Sequence, residues 1–161
     1  MSRLLFCLST IPFMIISNLG LADIFNNAII LKAYSNGTQL QMSRENIQEF
    51  SFLFNEALEN SHEMPAYCVS LHQESLEALE SGFWVRFIFQ RTQIHNDLPF
   101  NELLFKIEKD SSGVNIIRNN FGLLEGMCFH LSLQNNFNKL YDFLEKVDTQ
   151  SKMQKDIKIA E

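Results

Sequence analysis

Between Phe83 and Leu133 apolar side chains recur at every second residue through successive runs, and this period restricts what the chain can become. Side chains in a strand point to alternate faces, so residues two apart share one side. Phe83, Val85, Phe87 and Phe89 therefore fall together, against Trp84, Arg86, Ile88 and Gln90. Leu103, Phe105 and Ile107 repeat the pattern against Leu104, Lys106 and Glu108, and Val114 and Ile116 continue it against Asn115 and Ile117. Met127, Phe129, Leu131 and Leu133 close it, opposite Cys128, His130 and Ser132. Asp110-Ser111-Ser112-Gly113 is a tight-turn sequence between the second and third runs. His95-Asn96-Asp97-Leu98-Pro99 divides the first run from the second, and Gly122 and Gly126 bracket the last connection. Runs this close, with no helical pattern between them, predict an antiparallel meander. One face is strongly apolar and must be covered, and helical segments on either side can cover it.

Upstream, Ala28 to Tyr34 alternates in the same way and is followed by Asn36-Gly37 and Thr38–Met42. Asn-Gly between two such runs predicts a hairpin, because both turn residues tolerate positive φ. Asn36-Gly37-Thr38 also fits the N-glycosylation pattern, but the turn explains these residues without it. Ser43 is placed to cap a helix carrying Ile47, Phe50, Phe54, Ala57 and Leu58 on one face, with its glutamates mostly elsewhere. Met64 to Val69 reads as a short extended piece. A second helix starts at the capping box Ser70 to Gln73 and ends at Gly82. Phe137, Leu140, Tyr141, Leu144 and Val147 form the clearest amphipathic helix, and the sequence after Asp148 is mostly polar.

The expected fold class is α+β in a single domain. It comprises an antiparallel β-meander of about four strands, an N-terminal hairpin, and helices packed on one face. The expected division is a signal peptide at 1–22, the domain at 23–148 and a polar tail at 149–161. The chain is 161 residues long, which suits one domain. At 46% hydrophobic and 20% charged its composition is that of a globular protein, and fifteen Phe supply core filling.

Residues 1–22 carry a short positive start at Arg3, an apolar stretch from Leu4 to Ile16, and Gly20-Leu21-Ala22 as a cleavage site. This predicts cleavage after Ala22 and export to a periplasm, a lumen or the medium, with membrane contact only through this segment during export. The alternatives are an uncleaved anchor over residues 4–22 and an ordinary buried N-terminal element. Cleavage would remove Cys7 and leave Cys68 and Cys128, an even pair that an oxidising compartment permits to bond.

A net charge of −6, with no cluster of Lys and Arg, argues against nucleic-acid binding. No phosphate loop, nucleophile elbow or paired metal-ligand spacing occurs, so no cofactor, metal or catalytic residue is assigned. Cys128 and His130 share a strand face, but no neighbouring cation or helix N-terminus activates the thiol. The face opposite the phenylalanines is less ordinary. It would carry Trp84, Arg86, Ile88, Leu104, Lys106, Ile117 and His130, where a solvated sheet face is usually polar. Trp84, Arg86, Lys106 and His130 are therefore the candidate binding residues, Trp and Arg being enriched where interfaces are strongest. By alternation Arg118 belongs instead with Val114 and Ile116. The function expected is an exported, non-catalytic binding module for an unknown protein or small molecule. The alternatives are a small secreted enzyme with a His/Cys site and a structural subunit of an envelope assembly.

Overall fold

The computed structural model describes residues 24–25, 27–64, 81–119 and 128–160, with side chains as far as Met153. The expected signal peptide, Cys68, the second helix from Ser70 to Glu80 and the Gly122–Gly126 connection lie outside the described residues.

The described residues form one seven-stranded antiparallel sheet and two long helices, so the α+β single-domain reading stands with more strands than the meander alone. The strands are β1 (Ile30–Ser35), β2 (Thr38–Gln39), β3 (His62–Met64), β4 (Phe83–His95), β5 (Leu98–Ile107), β6 (Gly113–Asn119) and β7 (Cys128–Ser132). The helices are α1 (Arg44–Leu58) and α2 (Asn138–Ala160). Strand order is β2-β1-β4-β5-β6-β7-β3. The meander β4 to β7 holds the centre, and the N-terminal hairpin extends the same sheet by pairing β1 with β4, Ala33 opposite Val85. The extended piece expected from Met64 onward begins earlier, at His62, and pairs with β7 at the far edge.

Local chemistry accounts for the turns. Asn36 and Gly37 both take left-handed φ, +46° and +77°, as a two-residue hairpin turn requires. Asn96 and Asp97 do the same at +52° and +61°. This is why the first two meander runs do not stop at the expected break but continue to a His95–Leu98 pair. Ser43 caps α1, its hydroxyl accepting from the Asn46 amide at 3.2 Å.

The two helices deliver their apolar stripes to one sheet face. Phe50, Phe54, Ala57 and Leu58 from α1 and Leu140, Phe143, Leu144 and Val147 from α2 join Phe83, Val85, Phe87, Phe105, Ile116 and Phe129 in one core. The Phe54 ring lies 5.3 Å from Phe87, 5.5 Å from Phe105 and 6.0 Å from Phe137, so one α1 side chain links the sheet to the start of α2. Ile47, expected in this stripe, stays exposed in the first turn of α1. Helix α2 continues through the polar segment to Ala160.

The long β4–β5 hairpin does not lie flat. From Ile88 to Gln93 β4 takes five steps while β5 takes two, from Glu102 to Phe100. Such a bulge bends the strand and re-aims the residues beyond it. The far half of the hairpin then leans over the sheet's inner face. Phe100 is fully buried there, edge-on to Phe89 at 5.5 Å. The tip residue His95 meets Phe129 of β7 and Glu63 of β3. Reaching β3 from β5 means crossing three strand spacings, roughly 14 Å.

Candidate functional site

The register places all four candidate binding residues on the face turned away from the helices, as alternation predicted. They do not form one constellation. Trp84 and Lys106 are direct cross-strand partners, and Arg86 follows Trp84 by two residues, opposite Lys32 and Leu104. His130 is on β7 and pairs with Asn115 and Met64. That puts it three strands from β4, roughly 14 Å away.

Trp84 is buried, 7% exposed, in a small second core with Leu104 and Ile117, against which Tyr34 and Cys128 pack. Its indole N–H donates to the Ser81 carbonyl at 3.1 Å. It is therefore the floor of this face rather than a projecting contact. Arg86 stands beside it, half-buried. Its Nε donates to Glu102 Oε1 and its Nη2 to Glu102 Oε2, the latter at 2.7 Å. The fork-to-carboxylate match is the strong form of this pair. Hydrogen bonding to Glu102 holds the guanidinium pKa above its usual value, against the opposing effect of burial. Glu102 is buried in turn, and Asn119 donates to its Oε2 at 3.2 Å. Lys106 is paired more loosely, with Glu108 at 3.1 Å, the lysine half-buried and the glutamate open to solvent. His130 Nδ1 lies 2.8 Å from Asn115 Oδ1.

Arg86 and Lys106 are thus pre-paired, and Arg86 is the more rigidly held. The carboxylate engages two of its five N–H donors. Sequence reasoning missed Glu102 and Asn119. The available signal was the acid itself, placed at the head of an otherwise apolar run.

A second polar cluster lies on the core face, at the hairpin tip. Arg118 is on that face, as alternation placed it, and is 5% exposed. Its Nη2 is 2.6 Å from His95 Nδ1, while His95 Nε2 is 3.0 Å from Glu63 Oε2. Asn96 donates to the other Glu63 oxygen at 2.8 Å. Phe129 packs under both nitrogenous groups. The Arg118 guanidinium carbon is 4.5 Å from the ring centre and the His95 ring 4.7 Å. Burial lowers the Arg118 pKa. Burial also lowers that of His95, with Glu63 opposing and Arg118 assisting. The three residues come from β3, β4 and β6, and nothing in sequence spacing joins them.

Among the described residues no group of three or more His, Cys, Asp or Glu is arranged to hold a metal ion. No described helix is long and apolar enough to cross a membrane. Cys68 lies outside the described residues, so the bond to Cys128 is left as a proposal. Comparison of the chain with family models, curated proteins and solved structures finds no match.

Proposed function

We propose that this chain is an exported, non-catalytic binding module that meets its partner through the sheet face turned away from the helices. One observation carries the reading: an apolar floor of Trp84, Leu104 and Ile117 bordered by the half-buried cations Lys32, Arg86 and Lys106. A sheet covered by helices on one side needs no apolar cluster on the other to be stable. Trp84, Leu104 and Ile117 are themselves only 5–7% exposed, so what this face offers a partner is the charged rim above them, the polar margin typical of a contact surface. The Glu102 carboxylate fixes the Arg86 guanidinium in place, so less side-chain entropy is lost on contact. The partner is a protein or small molecule that offers hydrogen-bond acceptors to this rim. Export and a Cys68–Cys128 bond belong to the same proposal, and Cys128 packs against this floor.

The test is retention of a partner by the native exported protein after crosslinking in its own cells. A Lys32→Ala, Lys106→Ala double variant is expected to keep its melting temperature and lose the crosslinked species. The same crosslinks from the double variant would show that contact is made elsewhere. Trp84→Ala is unsuitable here, because emptying a buried indole site costs about 3–5 kcal/mol.

A further inference from the structure

We propose that the far half of the β4–β5 hairpin is a strap, held down by an Arg118–His95–Glu63 clasp that closes only while His95 is neutral. This device lies on the core face and does not depend on the binding surface proposed above.

The hydrogen-bond geometry fixes the protonation state. Arg118 is a donor only, and its Nη2 faces His95 Nδ1 at 2.6 Å. Nδ1 must therefore accept and carry no proton. The ring's single proton then sits on Nε2, where it donates to Glu63 at 3.0 Å. Neutral His95 thus joins a buried cation on β6 to a carboxylate on edge strand β3. Adding a proton to Nδ1 turns its contact with Arg118 into two donors facing each other beside a buried guanidinium. Arg118 has little room to retreat, being 5% exposed and stacked on Phe129.

The groups facing His95 from the packed elements, among the described residues, are Glu63 from β3, Arg118 from β6 and the Phe129 ring from β7. Protonation would strengthen the Glu63 contact and oppose the Arg118 contact. Burial adds to the second, and the balance lowers the His95 pKa in the closed state. A depressed histidine pKa means the released strap binds the proton more tightly. Closure is therefore complete above the ordinary histidine value of about 6.5 and is lost as pH falls below it. What opens is the cover over Phe129, now 3% exposed, and over fully buried Phe100.

Amide hydrogen exchange on the full chain, corrected for the intrinsic pH dependence of exchange, tests the proposal. Between pH 7.5 and pH 5 the tip amides around Gln93–Leu98 are expected to lose protection while Phe83–Ile88 keep theirs. His95→Gln, which cannot titrate, should remove the pH dependence. Glu63→Gln keeps an acceptor for Nε2 but removes the negative charge that stabilises the imidazolium inside the closed strap, so release should move to higher pH. A merely packed histidine would not move in this way. Nitrogen chemical shifts of the His95 ring at pH 7.5 should show the proton on Nε2. Tip protection that stays constant to pH 5, an equal loss in His95→Gln, or a proton on Nδ1 would each overturn the clasp.

Discussion

Arg86 and Lys106 lie on the same face of adjacent strands, and each has an acidic partner, yet burial separates what the two charges do. Glu108 beside Lys106 is open to water, so this pair is screened and contributes little. Glu102 beside Arg86 is buried and also holds Asn119. Removing Arg86 would leave a carboxylate with half its partners in an apolar sheet. Arg86→Ala is expected to destabilise the fold by about 2–3 kcal/mol, and Lys106→Ala by no more than about 0.5 kcal/mol. Urea titration of the two variants checks the ordering, and equal losses would contradict it. Gly113 gives a second residue-scale expectation. A Cβ there would lie 2.7 Å from His130 Cε1 and 2.9 Å from the Leu131 carbonyl oxygen. The imidazole could swing away, but the neighbouring backbone cannot. Gly113→Ala should cost about 1–3 kcal/mol, and a variant as stable as the parent would mean that β6 and β7 separate freely.

Among the elements, the strands were legible wherever one face is buried and turn chemistry marks the ends. The runs from Phe83, Leu103, Val114 and Phe129 all became strands because period two was unbroken there. The first two proved longer than their apolar pattern. Past Phe89 the alternation fails at the bulge, and the Asn96-Asp97 turn hides the continuation behind polar residues. Edge strand β3 offers only His-Glu-Met, too short to show a period, and it exists because β7 had a free edge to pair with. Helix α1 was readable from both its cap and its stripe. Ser43→Ala is expected to cost about 1 kcal/mol and Phe54→Ala about 3–5 kcal/mol, since that ring joins α1 to the sheet and to Phe137 before α2. Denaturant titration should show this ordering; a small Phe54→Ala loss would mean that the helices hold the sheet by other contacts.

For the whole molecule, the sequence period named the faces and could not name the neighbours. Alternation put Arg118 on the core side and Trp84 opposite, and both are there. Strand order depends on contacts between distant segments, so the joining of the hairpin to β4, and of β3 to β7, could not be read from spacing. The Glu63–His95–Arg118 clasp was hidden for the same reason. Its members come together only when the outer strand, the hairpin tip and β6 are all in place. The proposed Cys68–Cys128 bond is a contact of the same long-range kind. It would close a loop of about 60 residues, for which chain-entropy reasoning gives about 4 kcal/mol of stabilisation. Intact mass of the natively expressed protein, alkylated with and without prior reduction, should reveal a chain that starts at Asp23. Two thiols should become reactive only after reduction, and reduced protein should unfold at lower denaturant concentration. A chain retaining residues 1–22 with three reactive thiols would remove both export and the bond. It would also return Cys128 and His130, which share a face of β7, to consideration as a chemical site.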